Sequence, residues 1–302
     1  MARQDDRYIP NLYSRDIGVY DAEYQDFIRR TLADLRQHTI PGHTLLWEAS
    51  QLRGNGLVLD LGVWIGWSTR LLADKTGRRV YGFDTFEGLV EDWQVDDRPL
   101  MKAGALSITE PYAQRLIEDT GVILENGIPA ALGRDVEFVK GSTYDTLAPF
   151  LDAHPGPIGL FHMDLDTYES CLHALETCKS RFEVGSILVF DEYLVTNGEL
   201  RAFYEFQKKY DLEFRYRAWG LEIMEMNTAM VTDRVKRLIH RIELFQAQRL
   251  LGDGSFVWKI WDRRFWRFWS SAPWHDIRFM LGAVGQRKSV SLEITGLGRL
   301  GA

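Results

Sequence analysis

Two acidic clusters carry the most chemistry in this sequence. Asp164-Leu165-Asp166 follows the apolar run Ile158–Met163, and Asp191-Glu192 follows the apolar run Ser186–Phe190. If Asp164, Asp191 and Glu192 converge on one point, they repel one another, and a hard divalent cation is the natural occupant, with water or a diol completing its shell. A cation of that kind lowers the pKa of a ligated oxygen, from about 15.7 to about 7 for water on zinc. Asp164 could then take the proton of a hydroxyl nucleophile. His162 lies two residues before Asp164 and is either an auxiliary base or a packed histidine, whereas His43 and His154 have no interpretable spacing.

A third constellation is Asp60-Leu61-Gly62-Val63-Trp64-Ile65-Gly66-Trp67-Ser68. Gly62 and Gly66 permit a tight turn after a strand and a close approach to a ligand. The helix opened by that turn offers N–H groups to a carboxylate or phosphate. The glycine spacing is not G-x-G-x-x-G, which disfavours a dinucleotide pyrophosphate. Asp84 ends the next apolar run, where a carboxylate can accept from both hydroxyls of a ribose.

These residues need a scaffold that brings strand ends together. Leu57–Leu61, Arg79–Phe83, Val136–Val139, Ile158–Met163 and Ser186–Phe190 read as buried strands. Helical patterns separate them at Ser68–Lys75, Leu147–Ala153, Ser170–Phe182 and Gly198–Tyr210. Strands alternating with helices predict an α/β, doubly wound, Rossmann-like parallel sheet with ligands at its carboxyl edge. Phe214–Ala218 and Thr228–Val231 are candidate edge strands. Residues 21–53 read as two helices broken at Pro41-Gly42, and residues 91–135 as a mostly helical insertion over the site.

Four separated motifs resemble the macrocin-type O-methyltransferases of the class I methyltransferases. They are Leu61-Gly62-Val63-Trp64 with Gly66 and Ser68; Gly82-Phe83-Asp84-Thr85-Phe86-Glu87-Gly88-Leu89 with Glu91-Asp92-Trp93; Asp164-Leu165-Asp166-Thr167-Tyr168-Glu169-Ser170; and Phe190-Asp191-Glu192-Tyr193. The resemblance covers roughly residues 20–233. It implies a seven-stranded methyltransferase sheet, S-adenosyl-L-methionine as donor, Mg²⁺ as metal and a sugar hydroxyl as acceptor. By the same resemblance, Asp60, Gly62, Gly66 and Ser68 would meet the methionine end of the donor and Asp84 its ribose. Gly141, Ser142 and Thr143 would lie near the adenine. Asp164, Asp191 and Glu192 would be the metal ligands, with Asp164 doubling as base. This chain departs from the family pattern at Val90, where proline is usual, at Glu192, where a second aspartate is common, and at the bulky Trp67. The expected organisation is a helical cap over 1–53, a methyltransferase domain over 54–233 and an extension over 234–302, the last matching nothing in the family.

The extension has its own character. From Arg234 onward there are 13 Lys and Arg against 5 Asp and Glu, a net of +8, which leaves −15 on the rest of the 302 residues. Its five tryptophans, Trp258, Trp261, Trp266, Trp269 and Trp274, interleave with arginines, a composition suited to packing on the acidic body, on a second subunit or on an anionic membrane surface. The acidic body argues against a nucleic-acid partner. No apolar run reaches the roughly 18 residues of a spanning helix. Met1–Pro10 does not read as a secretory signal, and Cys171 and Cys178 suggest no disulfide framework, so a cytoplasmic small-molecule or glycan methyltransferase, homo-oligomeric by family resemblance, is the leading expectation. The alternatives are a nicotinamide-dependent oxidoreductase on a similar sheet and a non-catalytic membrane-surface adaptor on a methyltransferase scaffold.

Overall fold

The computed structural model describes residues 17–95, 98–120, 122–194, 197–221 and 288–301. The expected strand at Thr228–Val231 and the tryptophan-arginine stretch lie outside the described residues. The chain opens with α1 (Ala22–Leu35), β1 (Thr39–His43) and α2 (Thr44–Gln51), then β2 (Leu57–Leu61), α3 (Trp67–Thr76) and β3 (Val80–Asp84). Two small hairpins flank α4 (Pro111–Thr120): β4 (Trp93–Val95) with β5 (Arg98–Met101), and β6 (Leu124–Glu125) with β7 (Ile128–Pro129). The sequence continues through β8 (Val136–Lys140), α5 (Thr143–Ala153), β9 (Ile158–Met163), α6 (Tyr168–Cys178), β10 (Ile187–Phe190), α7 (Gly198–Tyr210), β11 (Glu213–Leu221) and β12 (Ser289–Gly296).

Eight strands form one sheet in the order β1-β11-β12-β10-β9-β2-β3-β8. The pairs β10-β9, β9-β2, β2-β3, β3-β8 and β1-β11 are parallel, and β12 runs antiparallel to both of its neighbours. The doubly wound sheet read from the sequence is therefore present, with two additions. β1 falls where Pro41-Gly42 suggested only a break; an edge strand tolerates a proline because half of its N–H groups face away from the ladder. β12 falls within residues 234–302 but is an internal strand, with Val290, Leu292 and Ile294 fully buried. Over residues 91–135 the mostly helical expectation is corrected: one helix and two hairpins occupy it. The second hairpin turns on Asn126-Gly127, both at positive φ (54° and 77°), which suits the twist of a two-residue hairpin loop.

Alternation along the strands divides the core. Leu59, Leu61, Phe161, Met163, Leu188 and Phe190 pack with α1, α5, α6 and α7. Val58, Val80, Leu160 and Val189 pack with α2 and α3. Burial on both faces leaves the carboxyl edge of the sheet as the place where polar side chains collect, and the loops after β2, β3, β8, β9 and β10 all emerge there.

Candidate active site

The loop after β2 is built against its neighbours. Gly62 has φ +91°, and a Cβ there would lie 1.7 Å from the carbonyl oxygen of Asp164. Gly62 N–H donates to Phe83 O (2.9 Å) and Asp164 N–H donates to Leu61 O (2.8 Å), so the ends of β2, β3 and β9 are laced together. Gly66, at φ +83°, lies close to Pro129 of β7, where a Cβ would meet that ring at 2.7 Å. The close approaches that these two glycines allow are thus to protein.

Asp60 and Ser68 also face inward. Asp60 is fully buried; its Oδ2 accepts from Ser68 Oγ (2.8 Å) and Thr69 Oγ1 (2.5 Å), and its Oδ1 accepts from His162 Nδ1–H (2.5 Å). Asp60 and His162 are register partners on β2 and β9. A buried carboxylate needs such partners, and here they fasten the first turn of α3 to the sheet. His162 is accordingly the packed histidine of the two readings.

Asp84 closes the donor side. Its Oδ2 accepts from the N–H groups of Val63 (2.8 Å) and Trp64 (2.7 Å), and its Oδ1 from that of Phe86 (2.6 Å). Burial raises its carboxyl above the usual carboxylate range, and these three bonds counter that. Three of roughly four lone-pair positions are used, leaving acceptor capacity at the end of β3. Asp84 O also receives the N–H of Gly141 (2.9 Å), which brings the Gly141-Ser142-Thr143 turn beside it. Ser142 caps α5 and Thr143 is buried in its first turn.

The acidic cluster lies on the other side of β2. Asp191 N–H donates to Met163 O (3.1 Å), so Asp164 and Asp191 leave adjacent parallel strands side by side. Asp164 is half-buried. Desolvation, then the charges of Asp166, Glu199, Glu192 and Asp60, hold its carboxyl well above the usual range. Glu192 has partners of its own: its Oε1 receives Lys288 Nζ at 2.5 Å, and its N–H donates to Glu199 Oε2 (3.0 Å). Among the described residues, no three His, Cys, Asp or Glu side chains gather as a metal site. Asp164, Asp191 and Glu192 therefore do not stand together as a three-ligand set, and Lys288 pairs with the third of them.

Sequence reading missed Glu199 and Lys288. Glu199 is fully buried in the first turn of α7; burial, then Asp191, Glu192 and Asp166, push its carboxyl well up, and its Oε1 has no hydrogen-bond partner among the described residues. In sequence it reads as an ordinary acid at a helix start after Asn197-Gly198. Lys288 directly precedes β12, in a segment grouped with the extension.

A family model described as a methyltransferase domain matches residues 59–193. The chain is 29% identical over 157 residues to 8-demethyl-8-(2,3-dimethoxy-alpha-L-rhamnosyl)-tetracenomycin-C 4'-O-methyltransferase of Streptomyces olivaceus, covering 46% of this chain and 54% of that protein. It is 26% identical over 192 residues to demethyldecarbamoylnovobiocin O-methyltransferase of Streptomyces niveus, covering 61% of this chain and 65% of that protein. The chain thus spans little more than half to about two-thirds of the curated relatives it matches. A crystal structure of a calicheamicin methyltransferase superposes with a TM-score of 0.42 at 22% identity, over 66% of this chain and 92% of that one. Residues 59–193 thus match a methyltransferase domain, and the chain is similar to natural-product O-methyltransferases, in keeping with the macrocin-type resemblance of its motifs.

Proposed function

We propose that the chain is an S-adenosyl-L-methionine-dependent O-methyltransferase acting on a hydroxyl of a sugar or sugar-like acceptor, on a natural product or glycan. The observation that carries this reading is the methyltransferase-domain match over residues 59–193, the stretch that holds Asp60, Asp84, Asp164 and Asp191. The rhamnosyl substrate in the name of one relative supports the acceptor class. S-adenosylmethionine supplies an electrophilic methyl group on a sulfonium sulfur. The chain's part is to hold that donor along the loops after β2, β3 and β8, with the remaining acceptor capacity of Asp84 toward a ribose hydroxyl. Asp164 then accepts the proton of the attacking hydroxyl as the oxygen takes the methyl group and the carbon–sulfur bond breaks, leaving a neutral thioether. A carboxyl held above its usual range is a stronger base once ionised, which suits this task.

The Mg²⁺ implied by family resemblance would fall to Asp164 and Asp191, since Glu192 pairs with Lys288. Proton removal rests here on Asp164. Two free, buried cysteines suit a reducing compartment such as the cytoplasm. The experiment is incubation of the full chain with S-adenosylmethionine and a panel of rhamnosides and other deoxysugar glycosides, read by mass spectrometry. Gain of one methyl group on a glycoside hydroxyl is expected. Transfer to free phenols or amines with none to sugars would overturn the acceptor class.

A further inference from the structure

Glu91 stands between three of the loops that the methyltransferase reading assigns to donor and base. It follows β3 and precedes β4. Its Oε1 accepts from Thr167 Oγ1, from Ser170 N–H (3.0 Å) and from Ser170 Oγ (2.5 Å), and its Oε2 accepts from Tyr144 OH (3.3 Å). Thr167 and Ser170 belong to the N-terminus of α6, directly after Asp164-Leu165-Asp166, and Tyr144 belongs to the first turn of α5, directly after Gly141-Ser142. One carboxylate from the loop after β3 therefore ties down the loops after β8 and β9, and it places negative charge at the start of two helices.

The segment that presents Glu91 is itself anchored. Leu89 exchanges backbone hydrogen bonds with Ala105 and Gly104 (2.8 Å each), and Thr85 Oγ1 donates to Gly88 O (2.8 Å). Gly88, at φ +97°, lies so close to Gly104 and Ala105 that a Cβ would meet their backbone at 2.4–2.6 Å. On the far side, Asp92 accepts from Lys102 Nζ (2.5 Å) and Ala103 N–H (2.9 Å). Glu91 is thus delivered from a fixed support. Ser170 N–H already has a local cap in Thr167 Oγ1, at 3.4 Å, so the bonds from Glu91 exceed what closing the helix requires.

We infer that Glu91 is a positioning residue that sets the spacing between the donor-holding loops after β3 and β8 and the Asp164-bearing loop after β9. This rests on the methyltransferase reading. The test compares wild type, Glu91→Ala and Glu91→Gln by calorimetric titration with S-adenosylhomocysteine, hydrogen exchange and thermal melting. Glu91→Ala should weaken S-adenosylhomocysteine about tenfold and speed exchange in peptides over 142–146 and 164–171, leaving the rest of the sheet protected. Glu91→Gln should recover the affinity to within about threefold, since its amide oxygen still accepts from Thr167 and Ser170. Should Glu91→Ala not fold, Tyr144→Phe removes the α5 arm, and Thr167→Val with Ser170→Ala removes two of the three bonds of the α6 arm; each change should loosen only its own peptide. Unchanged affinity with unchanged exchange, or a uniform rise in exchange, would overturn the inference. Failure of the wild type to bind S-adenosylhomocysteine would instead overturn the reading beneath it, while the exchange data would still judge the tether.

Discussion

At the scale of single residues, the site holds more negative charge than its backbone bonds can satisfy. Glu199 shows the cost: a fully buried carboxyl with one oxygen on Glu192 N–H and its pKa raised by burial and by three neighbouring acids. Such a group binds its proton more tightly folded than unfolded. Its stabilising contribution is complete below the unfolded pKa and is lost as pH rises through the elevated folded value. Glu199→Gln keeps the shape and an acceptor oxygen for Glu192 N–H, and removes the ionisable proton. The substitution should raise the melting temperature at pH 8 by about 2 °C or more and change it little at pH 4. A melting temperature lowered equally at both values would mean that the acid is a neutral structural partner. From sequence, Asp164 and Asp191 were legible because each ends an apolar run. Glu199 was not, because an acid in a first helical turn has a local explanation that hides a long-range one.

Among the elements, the turn after β2 carries the strictest steric demand. Asp164 O lies where a Cβ on residue 62 would go, and φ there is +91°. Gly62→Ala should therefore cost about 3 kcal/mol or more through backbone strain and displacement of the β9 end, and lower cofactor affinity with it. Denaturant melts would measure the first and calorimetry the second; a variant within about 0.5 kcal/mol of wild type would contradict the packing described. The glycine itself was legible, but only one demand on it was: beside the ligand approach that the sequence pattern suggests, the adjoining strand end presses on it. Strands β2, β3, β8, β9 and β10 could be read from continuous apolar runs. β1 could not, because Pro41-Gly42 breaks the pattern. The β6-β7 hairpin is signalled by Asn126-Gly127, but its strands are too short to carry a period.

For the whole molecule, the boundary between body and extension looks different in three dimensions. The charge shift after Asp233 marks a real change in composition, yet Ser289–Gly296 returns to the centre of the sheet between β10 and β11. Val290, Leu292 and Ile294 are each fully buried, worth about 1.5–3 kcal/mol apiece, beside two ladders of backbone bonds. That sum rivals the total stability of an ordinary domain, about 5–15 kcal/mol. A chain ending before Lys288 should lose its cooperative thermal transition; a native-like melt would contradict the internal place of β12. Composition could not reveal this, because an eight-residue strand is outweighed by the basic, tryptophan-rich stretch before it. Among the described residues no helix is long and apolar enough to cross a membrane.

In the proposed reaction, donor binding and proton removal are separate tasks of separate loops. Asp164→Asn isolates them, because it preserves size and the Leu61 contact made by the backbone while removing the base. With S-adenosylhomocysteine affinity and methyl transfer to a rhamnoside acceptor measured on the same preparation, affinity should stay within about threefold of wild type and transfer should fall by about 100-fold or more. Undiminished transfer by Asp164→Asn, or a wild-type chain that does not bind S-adenosylhomocysteine, would contradict it.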